Sequence, residues 1–294
     1  MRGGSTQERN HEAAHNLFHL MSSQQPPVTP HPSHYNVMIT LSLQSPPAGI
    51  SVAESVQLAL DWFRKLVASG HHPTQETFVR VMQGCAKLGR LDLARKNFLA
   101  ALRLGERDRR SHRFLIDNRV ATSILYAYSS ADLGAEEVLQ CVGDPAVLHL
   151  LGASVPEEDH LVSNDIVRAL MWFEAEVLAI ARVVAKQSMD EKDPLQADRL
   201  PSRVRLALMT FYSSQSSAIV AYHDKALALL PSNTADRTAH HYAAMPQSAQ
   251  VTGNMSDLNT FWAAYHQHFV LGTSSMPTKE DLKCWRATIL GLAT

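Results

Sequence analysis

The stretch Pro73–Gly105, PTQETFVRVMQGCAKLGRLDLARKNFLAALRLG, decides how the rest of the chain is read. Phe78, Val81, Met82, Cys85 and Ala86 recur at the spacing of one helical face, and so do Leu91, Ala94, Phe98, Ala101 and Leu102. Between the two sets lies Leu88-Gly89-Arg90, where Gly89 can close a helix with positive φ at no steric cost. Pro73 cannot sit in a helix interior and marks the entry, and Gly105 is expected to end the second helix. The spacing therefore predicts two short helices joined by a tight turn.

The unit recurs upstream. Ala59, Phe63 and Gly70 keep the spacings of Ala94, Phe98 and Gly105, which predicts another second helix ending before Pro73. His34-Tyr35-Asn36-Val37-Met38-Ile39 supplies its first helix, with the turn-rich insertion Ser45–Ser51 between the two. Ala14, Leu17, Phe18 and Met21 predict one more helix over residues 11–22, followed by the proline-rich connector 23–33. A single hairpin cannot bury its own apolar side, so such units are expected to stack on one another.

From Phe78 through Ala94, Phe98 and Gly105 the chain resembles the pentatricopeptide repeat (PPR) family, matching its pattern of Gly84, Lys87, Gly89, Arg90 and Ala94 without a gap. The resemblance implies an all-α fold of helical hairpins stacked as a right-handed α-solenoid, here with a divergent helical C-terminal half. It also implies an organellar, usually mitochondrial, protein acting on single-stranded RNA (mRNA or rRNA) in RNA processing, stability or translation. In that family a residue early in each first helix and the last residue of the unit contact one base. Carried over, these positions are Asn36 and Thr74 in the first full repeat and Val79 in the second. Asn36 is the family's preferred type, Thr74 departs from it, and the apolar Val79 cannot hydrogen-bond a base edge.

The remaining chain is expected to fall into modules. Residues 1–10 are expected to be disordered, 11–142 to be repeat-like, 143–156 to form a linker and 157–231 to hold divergent hairpins. Residues 232–255 read as a long loop and 256–294 as repeat-like helices again. Met171, Trp172, Phe173, Val177, Leu178, Ile180, Ala181 and Val184 make the longest helical signal, apolar around more than half its circumference. The run Pro277-Thr278-Lys279-Glu280 echoes Pro73-Thr74-Gln75-Glu76.

Charge bounds the partners. The chain has 294 residues and 27 Lys and Arg against 28 Asp and Glu, a net charge of −1, so phosphate contact needs a local patch. Arg103, Arg107, Arg109, Arg110, Arg113 and Arg119 form the one strong basic cluster, and guanidinium groups pair well with phosphate oxygens. A solvated charged loop is the other reading of the same run. Three well-separated cysteines do not make a disulfide framework. His11, His15 and His19 share one helical stripe, but neither a short-spaced cysteine pair nor a His-Glu-x-x-His supports a metal site. No phosphate loop, nucleophile elbow or carboxylate pair stands out, so the expectation is a non-catalytic protein without a cofactor. No apolar run approaches a membrane span and no targeting segment is evident. The degenerate code positions and neutral charge leave a second expectation, a protein–protein scaffold such as a subunit of a mitochondrial ribosome or RNA-processing assembly.

Overall fold

A computed structural model describes residues 6–26, 28–44, 46–47, 49–107, 116–156, 164–188, 200–216, 219, 221–231, 237–238, 241–242, 245 and 255–266. All regular structure among them is helical, without a strand. The chain forms two compact units, Met1–Ala127 and Tyr128–Thr294.

The first unit contains α1 (Thr6–Ser23), α2 (Pro32–Gln44), α3 (Val52–Ala68), α4 (Gln75–Lys87), α5 (Leu91–Arg107) and the start of α6 (Asn118–Ser129). Pro32 opens α2 at a position where its missing N–H is no loss. Ser51 and Glu54 cap α3 reciprocally, and Thr74 and Thr77 do the same for α4. Gly70 and Gly89 end α3 and α4 with φ of 80° and 66°. All ten apolar residues that predict the α4–α5 hairpin are buried, as are Tyr35, Met38 and Ile39 of α2 and Val56, Ala59, Trp62 and Leu66 of α3. α2 packs on α1, α3 and α4, and α4 packs on α3 and α5, so each hairpin covers part of its neighbour's apolar side. Phe63 of α3 meets Phe78 of α4 edge-on at 5.7 Å between ring centres.

Several boundaries differ from expectation. α5 runs through Gly105 to Arg107, because a glycine inside a helix costs only about 1 kcal/mol against alanine and Leu104 remains partly covered. α1 already begins at Thr6, inside the stretch expected to be disordered, where Gln7, Glu8 and Arg9 are good helix formers.

The second unit is built on α9 (Asp165–Ser188), the longest helix. Ala169, Leu170, Trp172, Phe173, Val177, Ile180, Ala181 and Val184 are buried along it, whereas Met171 is exposed. α7 (Glu136–Leu139) and α8 (Ala146–Leu150) pack on α9, and so does α10 (Ser202–Gln215), which pairs with α11 (Ala221–Ala228). The expected linker 143–156 thus holds a packed helical turn. The side chain of Asp144 accepts from the Ala146 N–H at 3.0 Å, and Val147 and Leu148 are fully buried. Within the expected loop 232–255, His241, Tyr242 and Met245 are buried, since even a polar stretch hides its few large side chains when a core is near. α12 (Met255–Tyr265) lies at the start of the segment 256–294 expected to hold repeat-like helices, and the rest of that segment, beyond residue 266, lies outside the described residues.

Candidate functional site

Asn36 sits in the first turns of α2 and Thr74 is the N-cap of α4, 38 positions later. Packing of α2 on α4 brings them together. The Asn36 amide donates from Nδ2 to Thr74 Oγ1 at 3.2 Å, and the Thr77 hydroxyl donates to Asn36 Oδ1 at 2.7 Å. Thr74 Oγ1 and Thr77 Oγ1 lie 3.0 Å apart. The only hydroxyl proton of Thr77 is spent on Asn36, so the Thr74 hydroxyl is the donor in that last contact. The three side chains form a closed ring in which each donates to the next. The capping N–H groups add to it, Thr74 N to Thr77 Oγ1 at 3.0 Å and Thr77 N to Thr74 Oγ1 at 3.3 Å. Thr77 is fully buried, Asn36 half-buried and Thr74 exposed. One N–H of the Asn36 amide and one lone pair of its carbonyl are left over within this ring, enough for a donor–acceptor pair of contacts at the surface.

Val79, carried over as the equivalent of Asn36, is only 2% exposed. It faces the core and offers a ligand no surface, because the stagger that buries Phe78 and Val81 also turns Val79 inward where α4 is covered on two sides.

The basic run divides. Arg103 is exposed on α5. Arg107 ends α5 with its side chain outside the described residues, and Arg109, Arg110 and Arg113 lie outside them altogether. Arg119, at the start of α6, pairs with Glu76 of α4, which also accepts from Arg80 Nε at 2.6 Å. One carboxylate thus answers two guanidinium groups. Burial acts to raise the Glu76 pKa, but the hydrogen bonds and charges of Arg80 and Arg119 outweigh it and hold the carboxyl below its ordinary range.

Two further carboxylates were not singled out from the sequence. Glu176 is fully buried and accepts from the Tyr128 hydroxyl and from Trp172 Nε1 at 3.3 Å. Glu174 accepts from the hydroxyls of Tyr212 at 2.8 Å and Tyr222 at 3.1 Å and from Lys225 Nζ at 2.5 Å. Burial first, then the Glu174 charge, pushes both tyrosine pKa values up. The available signal was two glutamates inside the apolar run MWFEAEVLAIARVVA, since a buried carboxylate must be met by donors. A cavity of about 350 Å³ lies beside this network, walled by Leu178, Leu200, Leu208 and Leu229 with Tyr212 and Lys225 at one side. Both polar groups there already serve Glu174, so the cavity presents apolar contact rather than an acid–base or nucleophilic set. Among the described residues no three His, Cys, Asp or Glu side chains converge as metal ligands, and no helix is long and apolar enough to cross a membrane.

In comparisons with known proteins, no protein-family model matches the chain, and no curated protein gives a significant match.

Proposed function

We propose that this chain is a non-catalytic helical-repeat RNA-binding protein of the pentatricopeptide type, its hairpins stacked as a right-handed solenoid, acting in mitochondrial RNA processing, stability or translation. The observation that carries this reading is the meeting of Asn36 and Thr74. They come from successive hairpins, they lie at helix starts in the first unit, and Asn36, oriented by Thr74 and Thr77, keeps a donor and an acceptor for a base. Arg103, exposed on the neighbouring α5, supplies a cation for phosphate.

Fluorescence anisotropy with single-stranded RNA oligonucleotides tests it. Affinity should fall steeply between about 50 and 200 mM salt, and Arg103→Ala should reduce the slope by about one. Asn36→Ala should alter preference among oligonucleotides while leaving the salt slope alone. Absence of salt-dependent binding defeats the reading. Fractionation of cells should place the protein with mitochondria.

A second reading, a protein–protein scaffold, is favoured by the pairing of Arg119 with Glu76 and by the closure of the threonine–asparagine ring, both of which use polar groups internally. It predicts a fixed protein partner that survives nuclease treatment during purification.

A further inference from the structure

The histidine stripe of α1 has no part in the proposed function, yet its setting is unusual. His11 is buried, and its Nε2 has no hydrogen-bond partner. One turn on, the His15 ring meets the Trp62 ring of α3 edge-on at 6.0 Å and the His19 ring at 4.6 Å. Phe18, on the same side of α1, packs against Trp62 at 4.8 Å and against Tyr35 of α2 at 5.0 Å. A cation also meets the joint, with Lys65 Nζ 4.2 Å from the centre of the Trp62 ring. Trp62 Nε1 is itself buried without a partner.

Among the described residues no carboxylate answers these groups. Of the acidic residues of α3, Glu54 is committed to the Ser51 cap and Asp61 to Arg64 and Gln57. α2 carries no charged residue, and its titratable side chains are His34, bonded to the His31 N–H, and Tyr35. Glu12 of α1 is exposed. An added proton would place an N–H on His11 with no acceptor, and a charge on His15 beside Lys65 and His19.

We propose that α1 is an acid-released clasp, held on Trp62 and Tyr35 by neutral histidines and freed when His11 and His15 take up protons. The direction agrees with the electrostatics. Burial first, then His15, lowers the His11 pKa from its ordinary 6.5, and burial, His19 and Lys65 lower that of His15. An imidazole with a depressed folded pKa binds more protons when released. Its contribution is therefore complete above about pH 6.5 and drains away as pH falls toward the folded value.

Hydrogen–deuterium exchange of the full chain at pH 7.5 and 5.5, corrected for intrinsic rates, tests the clasp. Protection across residues 11–21 should fall several-fold on acidification, while α4 and α5 keep theirs. The double variant His11→Leu/His15→Gln should hold its protection at both pH values. Equal protection of wild-type α1 at both, an equal loss in α4 and α5, or an unchanged loss in the variant overturns the proposal. Should the variant not fold, the ring protons of the wild type decide by NMR. Titration of His11 and His15 below the ordinary histidine value of about 6.5 supports the clasp, and titration at or above it refutes it.

Discussion

Replacing Thr77 by valine keeps the shape of a buried side chain and removes a single hydroxyl. That hydroxyl donates to Asn36 Oδ1 and accepts from the Thr74 N–H, so its loss opens the ring and removes one half of the α4 capping box, while the bond from the Thr77 N–H to Thr74 Oγ1 stays. The cost should be about 1–2 kcal/mol in urea unfolding, the scale of a buried polar group left unpaired. An unshifted midpoint would mean that water takes over the contacts freely. Cys85 makes a second residue-scale case. It is fully buried, and burial first, then the Asp92 carboxylate, pushes its thiol pKa up to about 12. Only the thiolate is nucleophilic, so iodoacetamide at pH 8 should modify the half-exposed Cys141 and leave Cys85 untouched until the chain unfolds. Peptide mass mapping reads both sites.

Between elements, α4 and α2 approach closely at Gly84. A Cβ built on Gly84 would stand 2.5 Å from Leu43 Cδ2. Gly84→Ala should be nearly neutral, because the end of a leucine can turn aside and the helix gains roughly 1 kcal/mol of propensity. Gly84→Val cannot be absorbed that way and should cost about 1–3 kcal/mol in thermal unfolding. The joint between α4 and α6 adds a charged pair to the Gln83–Ser123 hydrogen bond. Glu76, held ionised by Arg80 and Arg119, contributes stability that is complete above about pH 4.5 and is lost as pH drops through its lowered folded value. Glu76→Gln should flatten the acid limb of the stability profile near α6, measured by exchange at residues 118–125. An unchanged limb would show that the pair is fully screened.

For the molecule as a whole, net charge is the governing quantity. With 27 cationic residues against 28 anionic ones, the chain is near neutral at pH 7, and each of its 15 histidines that takes up a proton adds one positive charge. Retention on heparin should therefore increase clearly as the buffer is taken from pH 8 to pH 6, with most of the change near the ordinary histidine range. Flat retention would mean that most of the imidazoles remain neutral in the fold. The division into two compact units, 1–127 and 128–294, was not visible as a break in composition, because it falls within the continuous apolar pattern of α6.

Helical periodicity alone determined the α4–α5 hairpin, the α2–α3 unit and the positions of their cores, because an apolar stripe at a 3.6-residue period has one stable use in water. Cap residues and Gly89 determined where α3 starts and α4 stops, since those interactions lie within three or four residues of chain. Contacts between distant segments decided the rest. Asn36 and Thr74 share a ring with Thr77, Val79 is core, Arg119 belongs to Glu76, and Glu174 gathers two tyrosines and a lysine. Each of those outcomes depends on which face of one helix another helix covers. Periodicity marks the face that must be buried, but only packing selects the polar groups that meet across it.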